Sequence, residues 1–317
     1  MKPIIAGILL FVSTILPAFC WSAPGHEAIA IAAMQMIKGT PADTKVNAIL
    51  DGDAPADAAI WLDLVREHHQ FLDESQNDEA NLFRQSFPQS SDWHFCNFIV
   101  GSTAYDFSSK YASNDDVVHA LEHAVEVLEG AASDMSKQQA LRAVFHLVGD
   151  IHQPLHCITG FYDLSNMSHP VLLTDVENPQ TAIQDRGGNQ LYYTKSQEFH
   201  ALWDLGLPKT ISPDVNTLAD DLVSGSLDSK PVTPGDYHHW AEAWAGESMK
   251  AANAAYSGIV YNSAGYVPDP RHHGKQMLKI YITLPDNYKA DQHQRVQDQL
   301  STAAVRLAQL LQKIKFN

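Results

Sequence analysis

Along most of the chain, apolar side chains return every three to four positions, the spacing that gathers them on one face of an α-helix. Segments 28–37, 56–71, 115–132, 137–151, 217–225, 237–257 and 291–314 carry this pattern over good helix formers. In the last of them Val296, Leu300, Ala303, Ala304, Leu307, Leu310 and Leu311 form an unbroken stripe, which predicts a core-facing surface. Strand-like runs are confined to 92–99 and 191–194. Residues 157–184 are marked by Ser, Asn, Pro and Asp without periodicity and read as a long loop. No repeat, low-complexity tract or linker interrupts the pattern. It predicts one mainly helical, all-α domain over residues 21–317.

The first twenty residues follow another rule. Lys2 precedes a nearly continuous apolar run over 4–16, and the small residues Ala18 and Cys20 stand before Trp21. This is the pattern of a signal peptide, 1–20, cleaved before Trp21. The run is too short for a comfortable membrane span. A lipid anchor on Cys20 fits poorly with Phe19 and Ala18 beside it. The expectation is a secreted or periplasmic protein without a membrane anchor. Two cysteines then remain, Cys96 and Cys157, to pair or to stay as buried thiols.

Composition changes the picture in one respect. Among 317 residues, 37 acidic side chains face 21 basic ones, for a formal net charge of -16. A broad basic face for nucleic acid is therefore excluded. Bound divalent cations could supply the missing positive charge. The chain also carries 16 histidines, so their clustering decides between solvated and metal-ligating roles.

The densest cluster is Val144-Phe145-His146-Leu147-Val148-Gly149-Asp150-Ile151-His152-Gln153-Pro154-Leu155-His156. Helical spacing puts His146 and Asp150 on one face. Pro154 ends or kinks the helix, so His156 can turn toward the same cavity. His200 and Asp204 repeat the spacing. A third pair, His69 and Asp73, belongs to a solvated helix end. Spacing alone is weak evidence, but an ionised Asp150 in so apolar a helix needs a partner or a metal. At the proposed mature terminus, a free α-amino group, its own carbonyl and His26 could together chelate a cation.

Taken together, Trp21 through His26, Ala59 through Arg66, Trp93-His94-Phe95, His146 through His156, Asp185-Arg186-Gly187-Gly188-Asn189, His200 through Asp204 and the helix around Arg306-Leu307-Ala308 form an ordered set. In that set the chain resembles the secreted, zinc-dependent, single-strand-specific type I nucleases (the S1/P1 type) of fungi and plants, and looks like a bacterial-type member of them. That family shares a helical fold with zinc phospholipases C. The resemblance implies three zincs per chain on nine ligands. Asp63, His94, His146 and Asp150 would hold one. Trp21, His26 and a bridging Asp150 would hold the second. His156, His200 and Asp204 would hold the third. Asp57 is the rival for Asp63, and His152 for His156; His152 is expected in a surface or supporting role.

The resemblance further implies hydrolysis of single-stranded DNA and RNA to 5′-phosphorylated products by a monomer, with 3′-nucleotidase activity compatible with the same centre. Asp63, Arg66 and Asp150 would serve the chemistry, Arg66 at the scissile phosphate. Phe95 would stack a base, Asn97 would meet the base edge, and Gly188 and Asn189 would let the substrate backbone approach. Two other functions use the same features: a zinc phospholipase C, and a non-enzymatic zinc-sequestering protein. The segments around His94 and Asp185 favour the nuclease over the first. Arg66 and open coordination positions argue against the second.

Overall fold

The computed structural model describes residues 21–212, 214–225, 231–270 and 274–317. The leader assigned to 1–20 lies outside them. Helices dominate: α1 Ala23–Ile37, α2 Pro41–Leu50, α3 Pro55–Arg66, α4 Glu74–Ser86, α5 Val117–Leu128, α6 Lys137–Ile151, α7 Phe199–Ala201, α8 Val215–Ser224, α9 Trp240–Tyr256 and α10 Tyr288–Lys313. Strands are short except for one hairpin: β1 Phe98–Ile99, β2 Ile158–Thr159, β3 Tyr162–Asp163, β4 Val171–Leu172, β5 Leu191–Tyr192, β6 Val260–Pro268 and β7 Gln276–Thr283.

Helix α6 is the axle of the fold. Ser136 caps it and Gln139 closes a capping box, so two of the amides at its start are bonded. From Ala140 to Ile151 every residue is buried. A helix covered on all sides belongs at the centre, and α1, α2, α3, α5, α9 and α10 all pack on it. Arg142, also buried, reaches Asp53 at 2.6 Å and Glu79 at 2.9 Å. The stripe expected on the last helix is buried in full. One contiguous core results.

Several boundaries differ from the sequence pattern, each for a local reason. The segment expected as helix to residue 71 stops at Arg66, where the chain turns and His68 takes a positive φ of 55°. The expected strand over 92–99 shrinks to β1, because its first half is drawn into loops that hold His94. Helices α2 and α4 escape periodicity: α2 buries only Val46 and Leu50, and α4 only Ala80 and Phe83. Their caps, Thr40 and Asp73, are the signals that mark them. The β6–β7 hairpin is a further addition to the expected elements, although Leu278, Ile280 and Ile282 alternate in burial along β7. The 157–184 loop holds β2, β3 and β4. It is fastened by Lys110 Nζ to the Val176 carbonyl at 2.6 Å and by a small cluster of Ile99, Phe161 and Val176.

Parallel pairing of β1 with β2 does most to assemble the site. It sets Phe98 against Ile158 and Ile99 against Thr159, so the segments just before them, carrying His94 and His156, lie side by side. Cys96 and Cys157 sit there as free, buried thiols, the Cys96 S–H donating to the Cys157 carbonyl at 3.7 Å.

Candidate metal centre

The last turns of α6 and α3 meet at the bottom of the site. His146 and Asp150 lie on one face of α6, with His146 Nε2 3.0 Å from Asp150 Oδ2. Asp63, in the last turn of α3, approaches His146 Nε2 to 3.7 Å. Its rival Asp57 is exposed, whereas Asp63 is buried. His94 enters from the loop before β1. Its backbone neighbourhood is fixed by Cys96 N–H donating to the His156 carbonyl at 2.8 Å and Val117 N–H to the Phe95 carbonyl at 3.2 Å. That delivers His94 Nδ1 to 2.9 Å from His146 Nε2 and 3.0 Å from Asp150 Oδ2.

His26 comes from the first turns of α1. Its ring stacks on His146 at 4.0 Å, and its Nε2 lies 3.4 Å from Asp150 Oδ1. Gly149 makes this approach possible: a Cβ there would stand 2.5 Å from His26 Nδ1. The glycine inside an otherwise apolar helix is thus a slot for an imidazole. On the other side of Asp150, His156 and His200 stack at 5.2 Å, and His200 Nε2 meets Asp204 Oδ2 at 3.0 Å.

Three histidines have their tautomers set in the same way. A carbonyl can only accept, so the nitrogen facing it carries the proton. His146 Nδ1 donates to Ala59 at 2.7 Å, His156 Nδ1 to His94 at 2.8 Å and His200 Nδ1 to Gly187 at 2.6 Å. Each neutral ring then points its Nε2 lone pair inward, the arrangement that metal-ligating histidines use. Gln153 Nε2 donates to Asp204 Oδ1 at 2.6 Å and leaves Oδ2 free. Among the described residues, His26 Nε2, Asp150 Oδ1, His156 Nε2 and Asp204 Oδ2 are buried without a hydrogen-bond partner.

Buried lone pairs facing one another across about 3 Å require a cation between them. Protons are one way to supply it. Burial alone would lower the pKa of His146, but the Asp150 and Asp63 carboxylates outweigh it and raise it to about 9. Burial, with Arg66 nearby, instead drives His94 down to about 4. A divalent ion satisfies all these atoms together, and the donor set of imidazole nitrogen and carboxylate oxygen suits zinc. Among the described residues, three fully buried groups converge closely enough: His26, Asp63 and His146; His94, His146 and Asp150; His156, His200 and Asp204; a fourth, Glu122, His239 and Glu242, lies at the surface. The third coincides with the expected set. The first two redistribute the expected ligands, with His26 beside Asp63 and His146 as well as near Asp150.

The remaining sequence candidates divide. Trp21 is fully buried, and the next amide, Ser22 N–H, donates to the Asp204 carbonyl at 3.0 Å, so the proposed mature terminus lies at the site. Arg66 is part-exposed, 3.9 Å from Asp63 Oδ1. Phe95 and Asn97 are half-buried, and Phe95 is absent from the packed core. Asn189 is half-buried, its amide donating to the Arg186 carbonyl at 2.8 Å. Gly188 is buried, and a Cβ there would meet Phe199 at 2.8 Å, so its missing side chain makes room for that ring. His152 is also not at the surface. It is enclosed, with Nδ1 donating to Val148 at 2.7 Å and Nε2 accepting from Arg306 at 3.0 Å. Gln153 and Gly149 join the site without a signal in the sequence, because neither residue type announces a role beside ligands.

Comparison with known proteins agrees with this geometry. The S1/P1 Nuclease family model matches residues 21–315. Endonuclease 1 of Arabidopsis thaliana is 24% identical over 253 residues, covering 76% of this chain and 70% of that protein. Endonuclease 2 of the same plant is 22% identical over 325 residues, covering 93% of this chain and 90% of that protein.

Proposed function

The chain belongs to the S1/P1 nuclease family, and on that premise we propose that it is a zinc-dependent hydrolase of single-stranded DNA and RNA. The observation that carries the proposal is the convergence of buried imidazole and carboxylate atoms from eight side chains, four of which hold an atom with no hydrogen-bond partner among the described residues. Asp63, His94, His146 and Asp150 would hold one ion. His26 and Asp150 would hold a second, with the amino nitrogen and carbonyl of Trp21 once a leader ending at Cys20 is removed. His156, His200 and Asp204 would hold the third. Bound zinc supplies Lewis acidity toward phosphate oxygen and lowers the pKa of water.

The protein's own groups would do the rest. Carbonyls of Ala59, His94 and Gly187 hold the imidazoles in register, so no ligand needs to reorganise during turnover. Arg66, on the rim, would engage the scissile phosphate through its planar guanidinium. Phe95, also on the rim, would stack an unpaired base, which gives a physical basis for preferring single strands. Asn97 and Asn189 would contribute polar contacts to the nucleotide. The lack of a general basic face fits a substrate held mainly at the metal centre.

The test is a panel of zinc-loaded reactions on single-stranded DNA, single-stranded RNA, duplex DNA, a 3′-mononucleotide and phosphatidylcholine. Cleavage of single strands to 5′-phosphorylated ends, at least tenfold faster than duplex, is expected. Activity on phosphatidylcholine alone would identify a phospholipase, and activity on none would leave a zinc-binding protein.

A further inference from the structure

Asp185 is fully buried, yet among the described residues no cationic side chain pairs with it. Instead five donors converge on its carboxylate. Oδ1 accepts from Thr159 Oγ1 at 3.1 Å, Gly160 N–H at 3.0 Å and Gly188 N–H at 3.0 Å. Oδ2 accepts from Tyr162 at 2.8 Å, and the Tyr256 hydroxyl reaches both oxygens, at 3.0 and 3.2 Å. Burial pushes the Asp185 carboxyl above its ordinary range and the donors only partly offset that, but together they leave the group no freedom to rotate. Even the space is shaped for it, since a Cβ on Gly160 would stand 2.6 Å from Asp185 Oδ2.

What this anchor holds is the turn at 185–188. Gly188 N–H is bonded to Asp185 directly, and Gly187 N–H donates to Thr159 Oγ1 at 3.2 Å, the same hydroxyl that donates to Asp185. Gly187 and Gly188 have positive φ values of 60° and 87°, so the turn depends on glycine and on its hydrogen bonds. Both carbonyls of that turn then grip one residue. Gly187 accepts from His200 Nδ1 at 2.6 Å, and Gly188 from the His200 amide at 3.3 Å. Main chain and ring of His200 are thereby set by groups whose own positions trace to Asp185. The Nε2 lone pair of His200 is aimed at Asp204 as a result.

We propose that Asp185 is a positioning residue: through Thr159 and the Gly187–Gly188 turn it fixes the tautomer and aim of His200, and so sets the cation affinity of the His156–His200–Asp204 site. The inference rests on the zinc-nuclease reading. It goes beyond that reading by making the affinity of one site depend on a carboxylate that touches neither ion nor substrate. A carboxamide would keep an acceptor toward the turn, since its N–H₂ can donate to the Tyr162 and Tyr256 hydroxyls, but it would lose the charge that strengthens those bonds and so loosen the turn.

The experiment is a zinc-release titration of the full mature chain against a graded chelator, with thermal melting of the same samples. Asp185→Asn is expected to weaken one zinc, the one lost in His200→Ala, about 10–100-fold and to leave the others as in the native protein. His200→Ala removes that zinc outright, and adding Asp185→Asn to it should change zinc release no further. Thr159→Val, a near-isosteric change, cuts the link to Gly187 and should weaken the same zinc, which keeps the proposal testable if Asp185→Asn does not fold. Unchanged release from folded Asp185→Asn or Thr159→Val, or equal weakening of every zinc, would overturn it. A native chain that holds no zinc would instead defeat the nuclease reading itself.

Discussion

Among the described residues, a buried and an exposed cluster of histidine and carboxylate behave in opposite ways. In the buried one, His156, His200 and Asp204 are at most 7% exposed, and carbonyls take the Nδ1 protons so that lone pairs converge. In the other, near the start of α9, the side chain of His239 is 66% exposed and faces Glu242 at 3.0 Å and Glu122 at 3.6 Å. Its neighbour His238 is bonded on both nitrogens, to Glu129 and Asp236, each at 2.7 Å. At the surface the carboxylates themselves take the imidazole protons. The same residue types thus make solvated ion pairs in one place and a candidate metal centre in the other. Burial, and a backbone acceptor for the second ring nitrogen, separate them.

The sharpest way to break that comparison is Asp150→Asn. Asp150 lies within 3.4 Å of ring nitrogens of His26, His94, His146 and His156. Rates on single-stranded DNA are expected to fall by roughly a thousandfold or more, with loss of zinc. The neighbouring His152→Ala should keep zinc and specific activity but lower stability by roughly 2–3 kcal/mol, because it opens a cavity and strands an Arg306 donor. Equal catalytic losses for the two variants would contradict the ligand assignment.

Next comes Gly149→Ala. A methyl group 2.5 Å from His26 Nδ1 must displace that ring, so one zinc should bind at least about tenfold more weakly. A native zinc titration for this variant would remove His26 from the site.

At the surface cluster the expectation reverses. His239→Ala should leave zinc content unchanged and shift stability by no more than about 0.5 kcal/mol. A fall in zinc count would erase the distinction between the clusters. The smallest effect is a pH dependence. Burial, and then repulsion from Glu242, hold the Glu122 carboxyl up at about 7. A carboxyl with a raised folded pKa binds its proton more tightly in the fold than in the unfolded chain. Its contribution is therefore present at acid pH and is lost as pH rises toward 7. Glu122→Gln should melt with the native protein at pH 4.5 and roughly 1–2 °C above it at pH 8, the effect being small because the group is part-exposed. A gap that instead opens toward acid would reverse the sign.

The same physics decides how much of the molecule is legible in its sequence. The apolar period of α6 and α10 survives any context, because each helix buries a full face, and α6 runs over the segment expected for it. Helices α2 and α4 bury two residues each and leave no period to find. At the site, His146 with Asp150 and His200 with Asp204 are visible as helical pairs. Asp63 is separable from Asp57 in sequence only by resemblance, and the fold separates them by burial. Gly149, Gln153 and Asp185 are not legible as supports, since their roles depend on chain segments far away in sequence. The surface cluster shows the converse: His238 and His239 look no less metal-like in sequence than His152, and only burial and bonding sort the three.

The central claim is that the buried cluster is a metal centre on which phosphodiester hydrolysis depends. The most direct measurement is metal content and single-stranded DNA cleavage on one preparation, before chelation, after chelation and after zinc is returned. Three zincs per chain, loss of cleavage with the metal and its recovery with zinc are the expected results. A chain that carries no metal, or that cleaves at full rate without it, would contradict the account.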